Sequence, residues 1–249
     1  MVNELLLLSG NDIPIDNNHL LMHPPTIKEI AFIGENTFFA GCEFIKFSKE
    51  NLKLEDRSHL ENISNFNILM SIMREKNLTA LRNTQCMIQV LNLLFPTYEI
   101  QINFEKMSID FKQDNNIFSL NEKNYDNFVN VLNDMLCLGG GDTDYKPSGT
   151  LARQIADKLK DRHAKLMSQS KDNQEITILS RYVSVLAVGE NKDMNSLLNY
   201  TVYQLFDEYK RFSLKTAWDI HLKAQLAGAT NLEDVDDWTK DIHSNVDDE

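Results

Sequence analysis

The chain carries only three cysteines among its 249 residues, Cys42, Cys86 and Cys137. They are odd in number, widely spaced and set in apolar surroundings. No pair has the close spacing of a zinc knuckle or a redox motif. Buried, reduced thiols of a cytosolic protein are expected. Long apolar runs are missing too. Residues 5–8 are apolar but far too few to span a bilayer, and they lack the basic flank and small-residue cleavage site of a signal peptide. No later run reaches roughly 18 residues, so a soluble, non-exported protein is expected. Basic charge is in deficit. The formal net charge of −12 argues against coating nucleic acid, because a phosphate backbone attracts basic surface.

Local signatures of chemistry are equally sparse. The glycines of Leu138-Gly139-Gly140-Gly141-Asp142 precede acids, whereas a phosphate loop needs Gly-Lys-Ser/Thr at the mouth of a helix. Asp142 and Asp144 supply two oxygen ligands, but the bidentate Glu that closes an EF-hand loop does not follow. His19 and His23 are four residues apart, while His59, His163, His221 and His243 are scattered, and no His-Glu-x-x-His motif occurs. There is no Gly-x-Ser-x-Gly elbow. Catalytic, cofactor-binding and metal-binding residues are therefore all expected to be absent, and the chain reads as a non-enzyme.

What is present is packing information. Hydrophobic content of 42% and charged content of 25% suit a globular protein of one large or two small domains. Ser9-Gly10-Asn11-Asp12 separates apolar segments with turn chemistry, which points to a small N-terminal hairpin. Leu20-Leu21-Met22 adds an extended piece before His23-Pro24-Pro25. Thr26 and Glu29 form a capping box for a helix whose inward face is Ile27, Ile30, Ala31 and Ile33, closed by Gly34. Residues 66–74 and 84–95 read as further helices, the second stopped by Pro96. Strict alternation in 98–104 and 107–111, a polar turn, and Ile117-Phe118 predict a three-stranded antiparallel meander. Asn121 reads as the cap of a helix burying Tyr125, Phe128, Val129, Leu132, Met135 and Leu136.

The glycine run is the clearest boundary, and beyond it the pattern becomes helical. The expected division is a mixed part at 1–138 with its meander near 98–118, a Gly-rich linker at 139–149, a helical part at 150–243 and an acidic tail at 244–249. The helical part comprises a charged helix at 150–170, a buried helix at 176–188 closed by Gly189, a long helix at 202–226 stopped by Gly228, and a short helix at 232–242. Leu205, Phe206, Tyr209, Phe212, Trp218, Leu222 and Leu226 form the apolar stripe of the long helix. Arg153, Lys158, Lys160, Arg162, Lys165 and Lys171 outnumber the acids of the charged helix. That helix is either a solvated amphipathic face or a phosphate-binding one, and the absence of interleaved aromatics favours the first. Arg153, Lys160, Trp218 and Trp238 are the expected partner contacts. The basic stretch at 153–171 and the acidic one at 233–249 meet within a chain or between chains. The second arrangement would make a homo-oligomer whose contact weakens with salt.

Pro147-Ser148-Gly149 with its following helix, residues 179–189 and 199–207, and Ala227-Gly228-Ala229 leading to Val235-Asp236-Asp237-Trp238 resemble proteins encoded among the tail-morphogenesis genes of tailed bacteriophages. The opening Leu8-Ser9-Gly10-Asn11-Asp12-Ile13 and Pro25-Thr26-Ile27-Lys28-Glu29-Ile30 are similar too, and the middle of the chain is not covered. The resemblance implies a tail or baseplate assembly chaperone, or a minor virion component. Such a protein would contact other tail or baseplate proteins without enzymatic activity, cofactor or membrane, in the host cytoplasm or the virion. The alternative from another class is a nucleic-acid-binding regulator using the basic helix after Gly149. The expected fold is α+β, mainly α: a small antiparallel meander with helices, followed by an all-helical C-terminal part.

Overall fold

The computed structural model describes residues 2–15, 20–49, 62–114, 116–137, 178–230, 232 and 234–239. The expected linker at 139–149, charged helix at 150–170 and acidic tail at 244–249 lie outside these residues. Among the described residues the architecture is mainly α with two small antiparallel sheets, one of two strands and one of three. The chain divides into two compact units. One comprises Met1–Gly139 with Asn195–Gln204, and the other Gly140–Met194 with Leu205–Glu249.

In the first unit the opening apolar run is a helix rather than a strand. α1 spans Glu4–Ser9, with the Asn3 side chain accepting from the Leu5 amide and Gly10 closing it at φ 68°. The hairpin lies beyond it. β1 (Ile13–Pro14) pairs with β2 (Leu21–Met22), and Ile13 and Met22 are both buried. α2 (Ile27–Ile33) starts on the expected capping box, with Thr26 and Glu29 bonding reciprocally, and Gly34 follows it. Ile27 and Ile30 are buried, but Ala31 is exposed, because it lies about 100° round the axis from Ile30.

α3 (Glu35–Ile45) buries Phe38, Cys42 and Ile45, and packs most extensively on α5 (Leu78–Leu94). Gly41 sits at the crossing. A Cβ there would stand 2.5 Å from Val90 Cγ2 and 2.6 Å from the Cys86 carbonyl oxygen. α4 (Asn65–Met73) begins on Ser64. α5 starts six residues earlier than its apolar periodicity predicts, because Asn77 accepts from the Ala80 amide and caps a first turn that leaves Leu78 and Leu81 exposed.

The expected meander is present as β3 (Glu99–Asn103), β4 (Ser108–Gln113) and β5 (Asn116–Leu120), all antiparallel in the order β3-β4-β5. Its register builds two apolar rows on one face, Ile100–Phe111–Phe118 and Ile102–Ile109–Leu120. Phe95 lies against that face with its ring centroid 4.6 Å from Phe111, and 6.0 Å from Phe128 of α6 (Tyr125–Met135). The opposite face departs from simple alternation. Ser108 and Asp110 are buried although polar, since β4 is the central strand and Asp110 Oδ1 accepts from Ser108 Oγ at 2.9 Å and Ser119 Oγ at 2.6 Å. On α6 the buried face contains Val131 where Val129 is expected, and Asn124 rather than Asn121 takes the cap position. Asn121 instead accepts from the Lys123 amide, a local turn that competes with capping.

α7 (Ile178–Gly189) is not buried all round. Leu179, Val183 and Leu186 form one buried stripe, while Val188 is 82% exposed. α8 (Met194–Leu198) is short, and α9 (Val202–Leu226) has the predicted length. Its end is a Schellman closure: Gly228 at φ 84° donates to Gln225, and Ala229 donates to Ala224. The helix expected at 232–242 is missing among its described residues, 232 and 234–239. There the Asp237 carboxylate accepts from the Thr239 amide and hydroxyl, both at 2.8 Å, satisfying the backbone without a helix.

Candidate interaction surface

Within the second unit, α9 has two apolar sides rather than one stripe. Tyr182 of α7 stacks on Tyr209 with centroids 3.9 Å apart and meets Phe206 edge-on at 5.2 Å. Burial, and then the neighbouring Tyr209, raise the Tyr182 phenol above its usual range. Gly189 takes the closest approach: a Cβ there would be 2.4 Å from the Phe212 ring. Its glycine therefore serves packing, and the positive φ that ends this region belongs to Asn191, at 54°. Lys192 pairs with both Glu190 and Glu208, and Arg211 pairs with Asp207 one turn away.

The stripe expected to continue through Trp218 does not. Phe212 and Trp218 are six residues apart, which carries Trp218 about 240° round the axis, and Tyr209 and Trp218 are about 180° apart. Leu214, Trp218 and Leu222 thus form a second row at four-residue steps, within about 40° of the side opposite Tyr209, and Leu226 continues it one step further round, about 100° from Tyr209. Leu214 and Trp218 are half-buried, Leu222 is 39% exposed and Leu226 is 89% exposed. A row of large apolar groups emerging into solvent along one helix side is the geometry of a helix-based contact surface.

Of the expected partner residues, Trp218 lies on this row. Trp238 is exposed in the turn held by Asp237, whose carboxyl the Thr239 amide and hydroxyl hold below its usual range. Nothing in the described contacts joins the two tryptophans. Arg153 and Lys160 lie outside the described residues.

One cluster in the first unit escaped sequence reasoning. The His23 ring stands between two carboxylates, with Nδ1 3.1 Å from Asp12 Oδ1 and Nε2 3.3 Å from Glu29 Oε2. The same Glu29 oxygen accepts from the Thr26 amide at 2.7 Å and the Thr26 hydroxyl at 2.8 Å. Partial burial pushes the Glu29 carboxyl upward, but the Thr26 bonds and His23 outweigh it and leave the group below its ordinary range. Spacing gave no signal, because the hairpin folds Asp12 back onto His23. The two carboxylates engage opposite ring nitrogens and so do not converge on a point. Among the described residues no group of three or more His, Cys, Asp or Glu could hold a metal ion.

None of the three cysteines is in a disulfide, but only Cys42 is fully buried, and burial pushes its thiol up to about 12. Among the described residues no helix is long and apolar enough to cross a membrane.

Residues 169–243 are similar to the family described as the YomV second domain. That family derives from a Bacillus phage, so the likeness points to a phage protein. It covers less than a third of the chain and includes α7, α8 and α9, the last of which carries the apolar row. No curated protein and no solved structure matches.

Proposed function

We propose that the protein is a non-enzymatic factor in phage tail or baseplate assembly, acting by protein–protein contact as a chaperone or a minor virion component. The observation that carries this reading is the second apolar row of α9, Trp218, Leu222 and Leu226, set within the stretch that resembles a phage-derived family. Assembly chaperones shield apolar surface on unassembled subunits, and a helix side of large apolar groups can do this without catalytic groups. The partners are other tail or baseplate proteins, met in the host cytoplasm while tails are built.

The test is deletion of the gene from the phage that carries it, followed by electron microscopy of the particles. Short, missing or aberrant tails are expected. Complementation should succeed with the intact gene and fail with Leu222→Glu plus Leu226→Glu. Tails of normal length and yield after deletion would sink the reading. A salt-sensitive mobility shift, lost on Arg153→Ala with Lys160→Ala, would instead favour a nucleic-acid-binding regulator.

A further inference from the structure

We infer that His23 is a protonation-dependent latch joining the N-terminal hairpin to the start of α2. Its ring is offered a carboxylate oxygen at each nitrogen, Asp12 at 3.1 Å and Glu29 at 3.3 Å. An ionised carboxylate only accepts hydrogen bonds, and a neutral imidazole carries a single N–H. Both contacts are satisfied together only by the imidazolium. When the ring loses a proton, one nitrogen turns a lone pair toward a carboxylate oxygen, and that arm is released.

The surroundings fit a local latch rather than a global support. Among the described residues, Asp12, from the loop before β1, and Glu29, from α2, are the charged groups that face the ring. From α5 the contact is to backbone, with the His23 amide donating to the Leu94 carbonyl at 2.8 Å. Pro24 and Pro25, both buried, fix the chain that follows, so the ring is held in place while its partners come and go. The side chains of His23, Asp12 and Glu29 are 29%, 53% and 41% exposed, so protons and solvent reach them. Histidine is the side chain whose charge changes between about pH 5 and 8.

The experiment is amide hydrogen exchange on the full chain near pH 5 and near pH 8, corrected for intrinsic exchange rates and read at Ile13, Met22, Thr26 and Glu29. Protection at these amides should fall about fivefold at the higher pH, the modest loss expected of a charged hydrogen bond discounted for solvent. His23→Gln should remove that dependence. Asp12→Asn, at an exposed site that does not threaten folding, should remove it at Ile13 and Met22. A wild-type protein whose protection at these amides is unchanged with pH would overturn the latch, as would variants that keep the wild-type dependence.

Discussion

Thr26 and Thr201 face each other across an antiparallel bridge within the first unit, and each immediately precedes a helix. Thr26 pairs with Glu29 to cap α2. Thr201 pairs with Gln204 to cap α9, its amide donating to Gln204 Oε1 at 2.9 Å. The Ile27 amide donates to the Tyr200 carbonyl at 2.8 Å, and Gln204 Nε2 reaches the Leu8 carbonyl at 2.7 Å. Two helix starts far apart in sequence thereby satisfy each other's backbone at one place.

Loss of either cap should therefore be felt by the other. Thr26→Ala and Thr201→Ala should each cost about 0.5–2 kcal/mol in urea unfolding, the usual worth of such a cap. The double variant should depart from the sum by more than about 0.5 kcal/mol, as expected for residues in contact. Strict additivity would show that the bridge couples nothing.

Gly41→Ala sets two effects against each other. Alanine favours a helix interior by about 1 kcal/mol over glycine. The added Cβ, however, would meet the Cys86 carbonyl at 2.6 Å, and backbone cannot swing aside. Overpacking of about 1–3 kcal/mol should win, lowering the midpoint of thermal unfolding. A stabilised variant would mean that α3 and α5 part freely.

The acid limb of stability should report Glu29. Its folded carboxyl lies below its ordinary value of 4.5, so its contribution is present above that value and is lost as pH falls through the folded titration. Glu29→Gln should shrink the loss of stability on acidification from about pH 5 to pH 3, measured by denaturant midpoints. A variant with an unaltered acid limb would remove Glu29 from the account.

Leu222→Glu and Leu226→Glu should each change stability by less than about 0.5 kcal/mol, since both side chains stand in solvent. Leu205→Ala, at 0% exposure on the same helix, should cost about 2–5 kcal/mol. The contrast separates the surface row from the core. Comparable losses at all three sites would place Leu222 and Leu226 inside.

Local chemistry was readable wherever neighbours in sequence are neighbours in space. The Thr26–Glu29 box, the stop at Pro96, the paired rows of the meander and the Gly228 closure all depend on steps of a few residues. Leu5 to Leu8 was opaque because four consecutive apolar residues carry no period, and the Asn3 cap decided for helix. His23 was opaque for another reason: Asp12 reaches it only after β1 and β2 have paired. In the candidate surface, Trp218 is legible as an aromatic anchor, but a recurrence of apolar residues does not by itself reveal the break between Phe212 and Trp218. Steps of three or four keep a side chain on one face, and a step of six does not.

That break decides what α9 can accommodate. The aromatic side at Phe206, Tyr209 and Phe212 is taken up by α7. Of the second row, Trp218 and Leu222 point the other way, and Leu226 lies about 21 Å beyond Phe212 along the axis. A visitor seated on that row and the resident α7 therefore never compete for the same groove, and occupancy of the row requires no unpacking of the helix pair beneath it.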